Sequence, residues 1–363
     1  MSSDLGKNIR LTIFGESHGD SIGVVIDGLP AGQTLDLDEV AAFMQRRAPG
    51  QDAYTSARRE DDRVSILSGL FEGKTCGAPL CAVIENRDER PHDYEPLRYL
   101  PRPGQSDFTT FMKYGHRDHR GGGHLSGRLT APLCFAGSVA KQLLAKRGVR
   151  VGAHLLAAGD VFDRAFDPVA VTENDLLQAT TGFPTLDAAA ETRMKALIDS
   201  VRAEKDTIGG QIECCALGLP AGLGEPIFDG VENRLAAALF AIPAITGVEF
   251  GDGFAGAATR GSAHNDAFCS DGLTVRTATN RHGGILGGIT SGMPLLLRVA
   301  VKPTPSTGLP QQSVDLRDHS ATTITVGGRH DPCIAVRAVP CVEAACAVVL
   351  LDLLIESDKR RTP

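Results

Sequence analysis

The fold is decided by Val342-Glu-Ala-Ala-Cys-Ala-Val-Val-Leu-Leu-Asp-Leu-Leu-Ile355, a run that is apolar on nearly every face of the helix it predicts. A helix at a protein surface carries one apolar stripe, whereas a helix that is apolar all round is buried. The sequence therefore predicts a helix covered on most faces, by other layers of the chain or by a neighbouring subunit.

Two loops ahead of this helix concentrate polar chemistry. They are Lys302-Pro-Thr-Pro-Ser306 and Gly328-Arg-His-Asp-Pro-Cys333. Turns that mix Pro, Gly, Ser and Thr with Lys and Arg present backbone N–H groups and fixed charge to a phosphate. Arg329, His330 and Asp331 add both acid and base chemistry. We expect the functional site here.

Two earlier loops have the same character. Phe14-Gly-Glu-Ser-His-Gly19 lies between the apolar runs 9–14 and 22–26, which predicts a strand, a polar elbow and a second strand. Further on come Arg117-Asp-His-Arg-Gly-Gly-Gly-His124 and Ser126-Gly-Arg128. Together with the region ahead of the buried helix, three widely separated parts of the chain are thus rich in His, Arg, Ser and Gly.

The remaining elements mix helices and strands without strict alternation. Residues 37–47 predict a helix from their i, i+3, i+4, i+7 apolar spacing, with Asp36 and Glu39 resembling a capping pair. A second helix is predicted over 128–144, where the preceding glycines allow a ligand to approach the backbone. Further helices are predicted at 191–204 and 231–242, and further strands at 211–217, 245–250 and 295–301.

Composition indicates a globular enzyme of one large or two ordinary domains. The 363 residues are 42% hydrophobic and 22% charged, and the formal net charge is −7. This balance excludes disordered and collagen-like classes and argues against nucleic acid as a partner. The nine cysteines include no C-x-x-C pair, which favours reduced core thiols. No uncharged run approaches the roughly 18 residues of a membrane helix, and the N-terminus lacks a signal-peptide core, so we expect a cytoplasmic protein without a membrane partner.

Because the whole chain is acidic, an anion site must be local. Arginines cluster beside Gly or Pro, and a single pair such as Arg46-Arg47 is more often a solvated face. Taken together, the clusters favour anion binding, since the guanidinium fork holds phosphate or carboxylate through two bonds. The glycines of residues 283–288 do not predict a dinucleotide-binding site, because no strand is predicted before Gly283 and no helix after it. The phosphate-loop signature is also missing.

Together these motifs resemble the chorismate synthase family, and the resemblance runs almost end to end in family order. Several matching motifs are far more specific than any single one. The matching segments are Gly15-Glu-Ser-His-Gly19, Arg58-Arg-Glu60, Arg117-Asp118, Gly251-Asp-Gly-Phe254, Gly283-Gly-Ile-Leu-Gly-Gly288, Lys302-Pro-Thr304 and Arg329-His-Asp-Pro-Cys333.

The resemblance implies an α+β fold: a β-α-β sandwich with a helical layer between antiparallel sheets, as one domain over residues 1–363 and assembled as a homotetramer. It implies a lyase of aromatic amino acid biosynthesis, the shikimate pathway, that performs 1,4-anti elimination of phosphate from 5-enolpyruvylshikimate 3-phosphate to give chorismate. Reduced FMN is the expected cofactor, because an electron-rich flavin can lend and regain an electron at an unactivated carbon. NADPH or an external flavin reductase would supply the electrons, and no nicotinamide fingerprint chooses between them.

The resemblance also assigns roles to individual residues. His18 matches the histidine beside the substrate phosphate, and Asp331 matches the carboxylate near flavin N5 through which the proton leaves. Each alone could be a turn residue; the neighbouring Glu16 and Ser17 favour the catalytic reading of His18. Substrate-binding positions are Ser17, Arg47, Arg102, Arg128 and Arg329. Flavin-binding positions are His124, Leu125, Ser126, Ala244, Gly287, Lys302, Pro303, Thr304, Pro305, Ser306 and Arg329.

Departures from the family pattern bear on activity. Gln105 stands where the family has a second catalytic histidine, and an amide cannot transfer a proton. His124 stands where the family has an arginine, so one hypothesis is that His124 supplies the missing imidazole. The alternative is that residues 116–124 form only a polar loop; a metal site there is disfavoured by the ligand spacing, and no metal is expected. Other substituted positions are Ala48, Ala53, Leu129 and Pro243. They support an alternative function, a divergent relative that binds flavin or a phosphorylated ring acid without normal turnover.

Overall fold

Two five-stranded antiparallel sheets enclose a layer of helices. The computed structural model describes residues 3–50, 54, 60–88, 91–327 and 331–361. The predicted α+β class and β-α-β sandwich are confirmed. In chain order, the strands within the described residues are β1 (Asp4–Leu5), β2 (Arg10–Gly15), β3 (Ser21–Asp27), β4 (Val64–Ser68), β5 (Leu70–Phe71), β6 (Lys74–Thr75), β7 (Leu80–Glu85), β8 (Arg150–Ala158), β9 (Val161–Phe162), β10 (Gly210–Leu217), β11 (Ile245–Phe250), β12 (Phe268–Ser270), β13 (Val275–Thr277), β14 (Ile285–Leu286), β15 (Ile289–Thr290), β16 (Leu295–Val301), β17 (Pro310–Val314) and β18 (Ala321–Thr325).

The first sheet has the strand order β1-β2-β3-β7-β4, with every neighbour antiparallel. Period-two alternation along β3 and β7 sends alternate side chains to one face. Ile22, Val24 and Ile26 on β3 are buried there beside Leu80 and Ile84 on β7. This apolar face lies against the helical layer.

The second sheet has the order β11-β16-β10-β8-β9 and is also antiparallel throughout. Strand β8 is buried from Val151 to Ala158 because helices cover both of its faces. On the outer side lies a separate small core. Its members are Phe166, Val171, Leu176, Ala179, Leu186, Cys215 and Leu296.

The helical layer is built around two long helices that pack on each other, α3 and α9. Helix α3 also packs on β3 and β7, and α9 packs on β8 and β10. The helices within the described residues are α1 (Leu37–Arg47), α2 (Asp107–Tyr114), α3 (Thr130–Ala145), α4 (Glu173–Gln178), α5 (Ala188–Ala203), α6 (Val231–Phe240), α7 (Gly253–Gly256), α8 (Gly261–His264) and α9 (Ala335–Arg361).

Helix α9 is the buried helix that the sequence predicts, and it is longer than the predicted run. By length and composition it could cross a membrane, but its apolar window is 100% buried inside the protein, as expected of a core helix. The chain itself covers it, since α1, α3, α6, β8 and β10 all contact it. The alternative of burial by a neighbouring subunit is therefore unnecessary.

The two carboxylates of α9's apolar run anchor neighbouring elements. Glu343 is fully buried and pairs with Arg46 of α1 and Lys141 of α3. Burial acts to raise the pKa of Glu343, but these two cations hold it at about 2. Asp352 accepts hydrogen bonds from the backbone N–H groups of residues 7, 8 and 9 and pairs with Arg234 of α6. Buried charges persist only when paired in this way.

Several sequence predictions are confirmed at the level of single residues. Helix α1 spans 37–47 as predicted, and the Asp36 side chain accepts from the backbone N–H groups of Asp38 and Glu39. The helix predicted over 128–144 begins at Thr130, because residues 127–129 form a 3-10 turn capped by Ser126. The main core draws on both sheets and the helices between them, while the single domain over 1–363 stays a prediction.

Candidate active site

A cavity of about 400 Å³ lies where loops of both sheets meet the beginning of α3 and α9. Its walls come from widely separated parts of the chain. They are the elbow between β2 and β3, the end of α1, residues 102–106, the glycine turn at 121–122, residues 125–128, residues 242–244, the loop after β16 and the first turns of α9. The layered fold thus brings the predicted loops together.

Ser17 and His18 are buried in the elbow wall. The Ser17 hydroxyl lies 3.0 Å from His18 Nδ1, and the Ser17 backbone N–H donates to the Gly123 carbonyl at 3.1 Å. The His18 ring meets Tyr94 edge-on, with ring centroids 5.0 Å apart. Asn86 donates to the carbonyls of residues 16 and 19, which holds the elbow closed. The imidazole is therefore fixed in the cavity wall.

Gly121 makes room for that imidazole. Its φ is +66°, and a Cβ placed there would lie 2.5 Å from His18 Cε1 and 2.9 Å from the Ser17 hydroxyl. An L-residue would be strained by the left-handed backbone and would also collide with the ring. The glycine turn therefore sets the position of His18.

Arg47 and Arg128 are both buried in the wall and share one carboxylate. Asp62 pairs with both guanidinium groups, and Glu60 lies 2.9 Å from Arg128. Burial acts to raise the pKa of Asp62, but the two guanidinium groups lower it below its ordinary value. Asp62 also adopts a φ of +47°, which is uncommon for a residue with a Cβ. The loop accepts this strain at the point where it locks two cations in place.

Arg102 is buried in the cavity wall near His18. It bonds Asp107 through two nitrogens, at 2.8 and 2.9 Å, and donates to the Gly121 carbonyl at 2.7 Å. Its guanidinium lies over the Tyr94 ring, 5.6 Å from the centroid. Arg102 therefore ties the glycine turn and the aromatic neighbour of His18 into one rigid unit.

Lys302 differs from these arginines, because the partner that the structure describes for it is a carbonyl rather than a carboxylate. Its Nζ donates to the Gly104 carbonyl at 2.8 Å. Thr304, Ser306 and Gln105 line the cavity beside it, and Gln105 donates to the Ser306 hydroxyl at 3.2 Å. Among the described residues Lys302 has no carboxylate partner, and an ammonium next to hydroxyl and amide donors is suited to an anion such as phosphate.

Asp331 lies in the wall formed by the start of α9. Its carboxylate accepts from Arg337 at 2.8 Å, and its carbonyl accepts from the Thr304 hydroxyl at 2.9 Å. Arg337 also donates to the Arg47 carbonyl at 3.1 Å. One guanidinium thus connects the Asp331 carboxylate to the end of α1.

Comparison with known proteins decides the family. The family model for chorismate synthase matches residues 9–355. The chain belongs to the chorismate synthase family. A chorismate synthase of Dehalococcoides mccartyi strain BAV1 is 47% identical over 358 residues, which cover 98% of each chain. That of Methanocella arvoryzae is 46% identical over 350 residues, covering 96% of this chain and 93% of the relative.

The structure of this chain is also similar to a solved crystal structure of chorismate synthase. The TM-score is 0.76 at 29% sequence identity, and the match covers 97% of this chain and 93% of the other. The sequence prediction of the chorismate synthase family is therefore confirmed.

The cavity gathers most, but not all, of the positions that the chorismate synthase resemblance assigned. Arg329 lies outside the described residues. Pro303 and Pro305 belong to the lining loop, although their side chains are not among those that face the cavity. The assigned residues that line it are Ser17, His18, Arg47, Arg102, Leu125, Ser126, Arg128, Ala244, Lys302, Thr304, Ser306 and Asp331.

His124 does not lie with the other predicted catalytic residues. Its Nδ1 lies 2.8 Å from the Gly15 carbonyl, so it donates there, and its Nε2 lies 2.8 Å from the Ser3 hydroxyl, from which it accepts. The ring faces a larger groove of about 930 Å³ on the other side of the glycine turn, together with His116 and His119. This geometry disfavours the hypothesis that His124 replaces the family histidine and favours the polar-loop reading.

Gly287 also lies apart from the cavity in this chain. It lies in the β14–β15 turn with φ +63°, and a Cβ there would meet no heavy atom within 4 Å. Its neighbour Gly288 accepts a backbone hydrogen bond from Val231 at the start of α6. The described structure therefore assigns Gly287 to a tight turn.

Sequence reasoning missed the cavity residues Tyr94, Arg337 and Cys341. It also missed Asp62, which pairs with the cavity arginines Arg47 and Arg128. Arg337 could have been found, because it is a single charge in the apolar run before residue 342. Asp62 follows the motif ending at Glu60 by two residues. Tyr94 and Cys341 carry no local signal, since their role depends on which elements pack beside them.

Proposed function

We propose that this protein is a chorismate synthase that eliminates phosphate from 5-enolpyruvylshikimate 3-phosphate with reduced FMN as cofactor. The observation that carries the proposal is the convergence of His18, Asp331 and a group of buried cations on one cavity. The relatives at 43–47% identity bear the name chorismate synthase, which supports the same activity.

The cavity suits a ring substrate that carries a phosphate and two carboxylates. Arg47 and Arg128 are fixed by Asp62, so their remaining donors are preorganised and lose little freedom on binding. His18 is buried in the adjacent wall, where a protonated imidazole could donate to the departing phosphate. Orientation by fixed guanidinium groups is the main contribution of these residues.

The donor set also fits the phosphate and ring of FMN. Lys302, Thr304 and Ser306 would hold it, because they combine an ammonium with hydroxyl donors. Reduced FMN bound there would supply the electron-rich ring that the elimination needs. Asp331 is the group in this chain that would receive the proton, held in orientation by Arg337.

Anaerobic phosphate release tests the proposal. Purified protein would be mixed with photoreduced FMN and the enolpyruvyl substrate, and chorismate absorbance followed in parallel. Turnover in step with phosphate release supports the lyase. Oxidised FMN serves as the control and should give no turnover.

A second candidate is a relative that binds flavin or a phosphorylated ring acid without normal turnover. Gln105 favours it, since this amide occupies a cavity position where the family pattern has a proton-transferring histidine. Flavin binding without phosphate release would support this candidate and contradict the lyase. Homotetramer assembly, a cytoplasmic location and reduction of FMN by NADPH or a separate reductase belong to the proposal as family properties.

A further inference from the structure

Two cysteine thiols face each other between the two central helices. Cys134 on α3 and Cys341 on α9 have their sulfur atoms 3.8 Å apart, and both residues are buried. One turn further along, Gly137 allows the same close approach, because a Cβ there would lie 2.2 Å from Ala344 Cβ. The two helices are therefore held close enough for the thiols to touch.

The two thiols have different access to small molecules. Cys341 lines the cavity beside Arg47, Thr130 and Arg337, whereas Cys134 lies behind it in the core. A small solute that enters the cavity can therefore reach one sulfur of the pair. The other sulfur is in place to react with whatever forms on the first.

The groups around the two thiols make Cys341 the more reactive of the pair. A hydrogen bond from the Cys134 thiol lowers the pKa of Cys341 to about 7; burial opposes this, and the Arg47 charge adds to the lowering. For Cys134, burial and the neighbouring sulfur raise the pKa well above its ordinary value. The thiolate is the nucleophilic form of cysteine, so Cys341 reacts first.

We propose that Cys134 and Cys341 form a peroxide-sensitive dithiol that closes to a disulfide in the wall of the active-site cavity and lowers turnover. The Cys341 thiolate attacks one oxygen of hydrogen peroxide, the O–O bond breaks, and a sulfenic acid forms with release of hydroxide, which takes up a proton to become water. The Cys134 sulfur then attacks the Cys341 sulfur, the S–O bond breaks, and the Cys134 proton leaves with the hydroxide as a second water. Two thiols are oxidised and one peroxide is reduced to two waters.

Formation of the disulfide must shift residues that hold the walls of the cavity in place. The sulfurs must approach from 3.8 Å to the bonded distance of about 2 Å. The Cys341 sulfur lies 3.5 Å from the Arg337 carbonyl one turn earlier on α9. Arg337 in turn holds Asp331 and the end of α1. Loss of turnover on oxidation rests on the proposed lyase function; disulfide formation does not.

The chain contains a matched control pair. Cys214 on β10 and Cys346 on α9 are also buried and hydrogen-bonded to each other, and burial with this bond raises the pKa of Cys214 well above its ordinary value. Neither is among the residues that line the cavity in the described structure. Both pairs are thus buried thiols in contact, but only Cys341 both lines the cavity and has a lowered pKa among the described cysteines of these pairs.

The test treats reduced full-length protein with hydrogen peroxide, quenches with catalase and alkylates the remaining thiols. We expect a loss of two mass units, a peptide cross-link joining Cys134 to Cys341, alkylated Cys214 and Cys346, and reversal by dithiothreitol. Cys134→Ala should abolish the cross-link. Cys134→Ser, whose hydroxyl keeps a hydrogen-bond donor beside Cys341, should also abolish it and leave a sulfenic acid on Cys341 that dimedone traps. Cys346→Ala should leave the cross-link unchanged. Absence of the cross-link, or equal oxidation of both pairs, would overturn the proposal.

Phosphate release separates this proposal from the lyase function. Peroxide should lower turnover at least tenfold in the parent protein and much less in Cys134→Ala. A cross-linked protein with unchanged turnover would overturn the regulatory effect. A reduced parent protein that releases no phosphate would contradict the lyase function, while the mass measurement would still decide whether the dithiol forms a disulfide.

Discussion

Asp331 is the residue whose chemistry the proposed reaction depends on most directly. We expect Asp331→Asn to keep FMN binding, because the amide can still lie beside Arg337, and to lose turnover by at least a hundredfold, because it cannot accept a proton. Flavin fluorescence titration and phosphate release measure the two effects. Phosphate release at the parent rate would contradict the assignment.

Gly121 controls the position of His18. We expect Gly121→Ala to reduce kcat/KM by about ten- to a hundredfold, because its Cβ must displace the imidazole, and small misplacements of a catalytic group have effects of this size. Gly115→Ala is the control: its φ is also +66°, but no heavy atom lies within 4 Å of its Cβ. Both variants should lose stability from the left-handed backbone, and Gly121→Ala should lose more because only its Cβ collides with His18, so kcat/KM is compared at a temperature where both are folded. Equal activity in both would show that the glycine turn does not position His18.

At this scale, sequence reasoning identified the residue types of the cavity better than their positions. The family resemblance, and not the local sequence alone, assigned His18 and Asp331, and both line the cavity. His124 was assigned as well, yet its ring points to the other side of the turn. A sequence gives the presence of an imidazole in a loop but not the direction of its side chain, which the φ angles of Gly121 and Gly123 set here.

At the scale of the elements, helices α3 and α9 approach closely because residue 137 is a glycine and has no side chain. We expect Gly137→Ala to destabilise the protein by about 1–3 kcal/mol, the usual effect of overpacking. Alanine's better helix propensity, about 1 kcal/mol, is the smaller effect because the new Cβ would lie 2.3 Å from Ala344 Cα, and no rotamer change relieves that. Urea unfolding midpoints measure the change, and Ala344→Gly in the same chain should restore part of it. A raised midpoint would contradict the argument.

On the outer side of the second sheet, His154 ties two strands and a loop together. It is fully buried, with Nδ1 3.0 Å from Asp163 and Nε2 3.1 Å from Glu213, and it packs against the Phe166 ring. Arg298 on β16 bonds Glu213 from the other side at 2.9 Å. Burial acts to lower the pKa of His154, but the two carboxylates raise it above its ordinary value.

This raised pKa predicts a stability that falls with rising pH. The contribution of His154 is fully present below its unfolded pKa of about 6.5 and is lost as pH rises through the higher folded pKa. Asp163 and Glu213 act in the opposite sense, since their lowered pKa values give stability that is lost only in acid. Urea unfolding from pH 6 upward should show the decline in the parent and in His319→Asn, an exposed control. His154→Asn should flatten it; an unchanged slope in that variant would disprove the assignment.

The elements themselves were predictable where a pattern repeats. The apolar spacing of α1 gave its bounds, and short apolar runs gave those of β11 and β16. Strand β8 was not predicted, since it is buried on both faces and has no alternation to reveal it. The pairing of β10 between β8 and β16 also has no local signal, because it is set by which apolar faces meet in the folded chain.

At the scale of the whole molecule, the β12–β13 hairpin exposes large apolar side chains. Phe268, Leu273 and Val275 of the β12–β13 region are 72%, 95% and 67% exposed, and Phe254 is exposed nearby in the sequence. Apolar surface of this kind marks an interaction site. We expect it to pack in the proposed homotetramer.

Mass measurement by light scattering tests this surface. The parent should have four times the mass of one 38.3 kDa chain, and the double change Phe268→Asp and Leu273→Asp should lower the mass toward smaller species. Phe71→Asp is the control because Phe71 is similarly exposed, at 69%, but lies on a different hairpin, β5–β6. A tetrameric double variant would exclude this hairpin from the interface.

The burial of α9 also has a consequence for protein synthesis. Both sheets precede α9 in the chain, so a ribosome completes them before it makes the helix that covers β8, β10 and α3. Until α9 emerges, the apolar faces that it covers stay exposed to other proteins, and the cavity lacks the wall that the start of α9 forms. Such surface attracts chaperones and favours aggregation. Slow translation of this last segment would therefore lower the yield of folded protein.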